Sequence, residues 1–167
     1  LQKNNYEKQM KQAQEGLSKY QKELKEDEHS PFVGPNDAKA VVVQFYDYHC
    51  GYCKKVAPSF AKLLENHKDV KVIFKEFPIL SEDSHSAARA ALAVYKLKPA
   101  KYLEFHQALM MAQGAYSDDA LKNLAAKVGV SGDALLSEMK ADWVTKQLQD
   151  VASLASNLGI QGTPAIV

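Results

Sequence analysis

A chain of 167 residues with 46% apolar and 25% charged side chains can bury a core, and its length allows one domain of ordinary size plus an appendage. Its 21 basic and 20 acidic side chains leave a net charge of +1, so the balance points to neither nucleic acid nor an anionic membrane surface as a partner. No apolar run reaches the ~20 residues of a membrane span, and residues 1–5 lack the apolar middle of a signal peptide, which a form already trimmed would also show.

Residues 4–25 are rich in Lys, Gln and Glu, and Asn4 with Glu7 resembles a capping box, so one helix is predicted there. Its apolar residues are Tyr6, Met10, Ala13, Leu17, Tyr20 and Leu24, the alternating four-and-three spacing of a heptad seam. That is an oligomerisation pattern. The alternative is an amphipathic helix lying on its own domain. Residues 26–38 hold two prolines and a glycine, which favour an extended linker. The expected organisation is an N-terminal oligomerisation helix over 1–27, a linker over 28–38 and one α/β domain over 39–167.

Residues 40–46 form a nearly continuous apolar and β-branched run, as a strand covered on both faces does. From Cys50 the spacing turns helical through Val56, Phe60, Leu63 and Leu64, with Pro58 predicting a kink or a late helix start. Residues 70–77 give a second strand, ended by Pro78. Strand, helix and strand make a right-handed βαβ unit with parallel strands. About eighty helical residues follow. Their core stripes are Ala87, Ala88, Ala91, Leu92 and Tyr95; Tyr102, Phe105, His106 and Leu109; Leu121, Leu124, Ala125 and Val128; and Val144, Leu148, Val151, Ala155 and Leu158. A shorter helix is expected over 132–139. Residues 162–167 open another strand, after which a further strand and helix are expected, because a sheet stopping there leaves an unpaired edge.

The only cysteines are Cys50 and Cys53, in Cys50-Gly51-Tyr52-Cys53, so a structural disulfide framework is excluded. At a strand-to-helix junction this spacing puts the first sulfur at the helix N-terminus and the second one turn inside. Free N–H groups and the helix dipole stabilise the thiolate of Cys50, making it the nucleophile, while Cys53 resolves the mixed disulfide. Cys53 is expected to be the more buried. A zinc site would need two further ligands from histidines at unhelpful spacings, and a c-type haem would need His where Lys54 stands. An inert buried pair is the third alternative. No metal site is expected, and the redox-active Cys50–Cys53 pair takes the place of a cofactor.

The run Phe45-Tyr46-Asp47-Tyr48-His49-Cys50-Gly51-Tyr52-Cys53-Lys54 resembles the active-site signature of DsbA-like thioredoxin-fold proteins of bacterial envelopes. The stretch Lys75-Glu76-Phe77-Pro78-Ile79-Leu80, the Ala-rich helix after it, and Gly159-Ile160-Gln161-Gly162-Thr163-Pro164 resemble further parts of the same family in the same order. The resemblance implies a thioredoxin fold with a helical insertion over about 84–158 and a cis-proline loop at Thr163-Pro164 that grips substrate beside the cysteines. It also implies a periplasmic location, cysteine-containing substrate proteins and a membrane redox partner of DsbB or DsbD type. The N-terminal heptads are similar to the oligomeric branch that includes the copper-sensitivity suppressor C proteins, which implies a homodimer or homotrimer and favours disulfide isomerisation over simple oxidation.

Six residues before the nucleophile, where thioredoxin-like proteins often carry a buried carboxylate, this chain has Gln44, which cannot act as a base. Either water or Lys54 assists Cys53, or resolution is slow; alternatively Gln44 is only a core polar group. His49, when charged, would stabilise the thiolate, unless it is a solvated surface side chain. Gly51 and Tyr52 tune the reduction potential. His29, His67, His85 and His106 are expected as surface or packing residues. The leading expectation is an oligomeric disulfide isomerase. Its alternatives are a DsbA-type oxidase and a copper(I)-binding protein using the two soft thiolates.

Overall fold

The computed structural model describes residues 2–167. In chain order the elements are α1 (Gln2–Lys19), α2 (Gln21–Lys25), β1 (Phe32–Val33), β2 (Ala40–Tyr46), α3 (Gly51–Asn66), β3 (Val70–Glu76), α4 (Glu82–Leu97), α5 (Tyr102–Met111), α6 (Asp118–Lys127), α7 (Gly132–Glu138), α8 (Asp142–Asn157) and β4 (Ala165–Ile166), with a 3-10 turn at Pro99–Lys101. The sheet order is β1-β3-β2-β4. The two central strands are parallel, in register from Ala40 opposite Val70 to Tyr46 opposite Glu76, and β1 and β4 flank them antiparallel.

Alternation along the strands divides the core in two. Tyr46, Val72 and Phe74 face α3 and the helices after β3, in one cluster with Cys53, Ala57, Phe105 and Leu109. Val43, Phe45 and Ile73 face the other way, against Val151, Leu154 and Ala155 of α8 and Leu158 just after it. The fold is thus a thioredoxin-like α/β sheet with an inserted helical layer. The insertion occupies α4 to α8, and each predicted stripe lies within one of these helices or in the turn that closes it.

The N-terminal segment departs from expectation. The helix is broken at Tyr20, and Asn4 lies inside α1 rather than at its cap. Leu24 is 1% exposed, in the cluster of Phe45, Ile73 and Val151, and Leu17 and Tyr20 pack against that cluster. The C-terminal half of the presumed oligomerisation seam is therefore core of its own domain. Burying Leu24 there is worth about 1.5–3 kcal/mol, without needing a second chain. Tyr6 and Met10 remain exposed, and Ala13 is half-buried.

The expected linker is also part of the domain. Phe32 and Val33 pair with Ile73 and Val72 as an edge strand, and the Lys71 ammonium sits 4.2 Å from the centre of the Phe32 ring. Gly34 follows at φ 112, where a Cβ would come within 2.2 Å of the Val70 carbonyl oxygen, so only glycine fits. Lys75 fastens this segment from beneath: its buried Nζ donates to Glu23 O at 2.8 Å, Ser30 Oγ at 2.8 Å and Asp27 Oδ2 at 3.3 Å. Gln147 Nε2 of α8 donates to the same Asp27 oxygen at 2.7 Å. A late start for α3 is likewise not seen. The helix begins at Gly51 and continues past Pro58, which has no N–H to donate within it.

Candidate active site

After Tyr46 the chain leaves β2 and is turned into α3 by Asp47. Its buried carboxylate accepts from His49 N (2.7 Å), Ile79 N (2.9 Å), Leu80 N (3.0 Å) and Ser84 Oγ (2.8 Å), while its carbonyl accepts from Cys50 N at 3.1 Å. One side chain thus ties the end of β2 to the loop after β3 and to the first turn of α4. Residue pattern alone does not reveal this, because three of the four donors lie 32 to 37 residues away.

Cys50 is the N-cap of α3, with Sγ accepting from Cys53 N at 3.1 Å. A sulfur in that position meets the helix's unpaired N–H groups and the positive end of its dipole. Cys50 is 6% exposed and Cys53 is fully buried, and both are free thiols. Burial, with a hydrogen bond to Cys50, pushes the Cys53 thiol up to about 12. The pair is therefore asymmetric: Cys50 keeps slight exposure at the helix end, whereas Cys53 is enclosed and its thiol is raised. The Thr163–Pro164 bond is cis, and the Thr163 carbonyl oxygen lies 3.4 Å from Cys50 Sγ. The structure brings Cys50, Cys53, Thr163 and Pro164 together.

The neighbours take different roles. Gly51 is exposed with room for a Cβ, and Tyr52 is 71% exposed. Gln44 is buried on the α3 face of β2, the face it shares with Tyr46, and neither Nε2 nor Oε1 meets a partner among the described residues. Lys54 is not an assistant to Cys53. Its ammonium donates to Met110 O (3.1 Å), Ala112 O (3.0 Å), Leu109 O (3.5 Å) and Tyr116 Oη (3.1 Å), so it closes the C-terminus of α5. Burial pulls its pKa below the ordinary lysine range, against the opposing pull of the Asp47 charge. His49 is not a free surface side chain: its Nε2 lies 2.6 Å from Asp83 Oδ2, and its ring lies against Tyr116.

Beneath this rim is a buried polar cluster. Tyr46, Tyr48 and Tyr102 all donate to Glu76 Oε1, and the Tyr48 hydroxyl is 2.8 Å from His106 Nδ1. Burial raises the Glu76 carboxyl to about 8 even though the three hydroxyls favour its charged form, and burial lowers His106 to about 3. Burial thus favours the uncharged form of each, and His106 is a packing residue. Sequence reading did not find Asp47, Asp83, Tyr116 or Glu76. The one available signal was Ser81 followed by Glu82 and Asp83, which marks a helix start and so places Asp83 in its first turn.

Residues 41–167 match the family described as the DSBA-like thioredoxin domain. The chain is 27% identical over 146 residues to disulfide bond formation protein D of Bacillus subtilis, covering 81% of this chain and 66% of that protein, just under two thirds of its length. Among solved structures, it is similar to the thiol-disulfide exchange protein alpha-DsbA2 of Wolbachia pipientis, with a TM-score of 0.87 and 31% identity over 93% of this chain and 83% of that one. It is also similar to Proteus mirabilis ScsC in a transitional conformation, with a TM-score of 0.84 and 35% identity over 100% of this chain and 77% of that one.

Proposed function

The chain belongs to the DsbA-like thioredoxin family and is a thiol-disulfide oxidoreductase, and from that premise we propose that it isomerises as well as forms disulfide bonds in proteins of the bacterial periplasm. The observation that carries the reading is the asymmetry of the dithiol, with Cys50 at the helix cap beside the Thr163 carbonyl and Cys53 buried with its thiol raised to about 12. Cys50 Sγ attacks a substrate disulfide, the S–S bond breaks, and the departing substrate sulfur takes up a proton. The mixed disulfide is then released either by Cys53 or by another thiol of the substrate. Cys53 must first lose its proton, and Gln44 offers no base for it. Slow resolution leaves time for the substrate's own thiols to act, and that second route is isomerisation. The substrates are cysteine-containing proteins, and a membrane partner of DsbB or DsbD type sets the redox state of the pair.

The assembly is a homo-oligomer joined through the N-terminal part of α1, where Tyr6 is 64% and Met10 is 45% exposed. The test is reactivation of scrambled ribonuclease by the full chain and by a Tyr6→Lys, Met10→Lys variant, with the mass of each measured by light scattering. Deleting residues 1–27 would be a poor test, because it removes Leu24 from the core and two of the partners of Lys75. The expected result is a monomeric variant that has lost most of its reactivation activity and keeps its ability to oxidise dithiols. A wild-type monomer, or equal reactivation by both proteins, would refute the isomerase reading.

A further inference from the structure

Asp83 stands in the first turn of α4, 34 residues beyond His49, yet its Oδ2 lies 2.6 Å from His49 Nε2. Two acceptors do not approach so closely, so Nε2 carries a hydrogen and donates it. Nδ1 is then the ring nitrogen left to gain or lose a proton. The same Asp83 carboxylate accepts from Tyr116 N with both oxygens, at 3.0 and 2.8 Å. The Tyr116 ring in turn lies 4.7 Å from the imidazole, centre to centre. From below, Asp47 Oδ1 holds the His49 backbone N–H.

The ring is thus fixed from the strand-to-helix loop, from α4 and from the loop before α6, one residue ahead of Cys50. The ionisable and charged groups around it are Asp47 behind its backbone, Asp83 on Nε2, and Tyr116 on its face, whose hydroxyl carries the Lys54 ammonium. Of these, Asp83 alone bonds a ring nitrogen.

We propose that Asp83 is a positioning residue for the thiol-disulfide reaction: it acts on Cys50 through His49, presenting the imidazole with Nε2 turned toward the helical insertion and Nδ1 left to take up the positive charge. This rests on the reading of Cys50 as the nucleophile. In such a pair the carboxylate fixes the tautomer and the orientation of the ring, and it stabilises the cation whenever the second nitrogen is protonated. A positive charge in the residue before a reactive cysteine favours its thiolate. No covalent bond changes in this role; the helical insertion supplies one counter-charge to the reactive loop.

The test is the rate of alkylation of reduced full-length protein at Cys50 by iodoacetamide, followed across pH for the wild type, Asp83→Asn, His49→Asn and the double variant. Asparagine keeps an acceptor for Tyr116 N while removing the charge. The His49–Asp83 pair is about one-third exposed, and such pairs are worth ~0.2–1 kcal/mol, so each single variant is expected to slow alkylation near neutral pH up to about fivefold. The midpoint of its pH profile should move upward, and Asp83→Glu should recover part of the rate. Within the His49→Asn background, Asp83→Asn should add nothing, because the two act as one unit. An equal loss from Asp83→Asn with and without His49 would overturn the proposal, since the carboxylate would then act through Tyr116 or the fold. So would an unchanged rate in Asp83→Asn. If Asp83→Asn does not fold, His49→Asn decides alone, because an unaltered pH profile there leaves Asp83 nothing to act through. A wild-type Cys50 that does not react at all would instead refute the underlying functional reading, a result distinct from the other three.

Discussion

Cys50 and Cys53 differ in the two properties that decide which sulfur attacks first, namely access and hydrogen bonding to the ionised form. Cys50 receives the Cys53 N–H at the end of α3, whereas Cys53 is enclosed by the core and raised to about 12. In the proposed cycle resolution is the slower half, and Gln44, buried on the α3 face of β2 with no partner for its amide among the described residues, is the residue to vary. Replacing Gln44 with Glu adds a carboxyl on the α3 face of β2 that can take the Cys53 proton. The expected outcome in rapid-quench experiments is a mixed disulfide released faster, by roughly tenfold or more, at some cost in stability from burying a charge. An unchanged lifetime would mean that water already does this work.

Glu76 and His106 give the protein a defined pH dependence. Glu76 is raised from 4.5 to about 8, so the folded chain keeps a proton that the unfolded chain releases. Its stabilising effect is complete below about pH 4.5 and is lost as the pH rises toward 8. His106 is lowered from 6.5 to about 3, so its contribution is complete above about 6.5 and is lost as the pH falls. Between 4.5 and 6.5 the two slopes oppose each other, and this pair alone places the stability maximum there. Urea midpoints measured across pH should show that plateau. Glu76→Gln should remove the decline on its alkaline side; a decline that persists would assign it to other groups.

At the scale of elements, the N-terminal segment shows where sequence pattern misleads. A four-and-three spacing states which residues share a face of a helix but not what covers that face. Leu17, Tyr20 and Leu24 are covered by this chain's own sheet and α8, and only Tyr6 and Met10 are left fully outside. Leu24→Ala is accordingly expected to destabilise the whole domain by about 2–5 kcal/mol in urea unfolding, with no change in mass by light scattering. Dissociation of an oligomer with unchanged domain stability would restore Leu24 to the interface. The two-residue β1 was equally illegible, since so short a strand has no period, and two prolines and a glycine around it signal a linker. By contrast, β2, α3, β3 and the helices of the insertion were readable because each buries a long, regular stripe. Of the site, the cysteines and the Thr163-Pro164 loop were legible from local motifs. Asp47 and Asp83 were not, because three of the four donors to the Asp47 carboxylate lie 32 to 37 residues away and the partners of Asp83 lie 33 to 34 residues away.

At the scale of the molecule, the sheet holds the reactive loop and the helical insertion closes around it. Asp47 and Lys54 reach from the loop and α3 to α4 and α5, and Asp83 reaches back from α4 to His49, so insertion and thioredoxin core share one site. The buried Lys75 secures the N-terminal segment on the opposite side of the sheet. In the proposed cycle this arrangement leaves Cys50 as the thiol offered to a partner. The most direct measurement is to mix reduced Cys53→Ser protein with a disulfide-bonded polypeptide at neutral pH and locate the linkage by mass spectrometry. A stable mixed disulfide at Cys50 is the predicted product, with none formed by Cys50→Ser; a linkage formed through Cys53 in Cys50→Ser, or no linkage in either variant, would contradict the account.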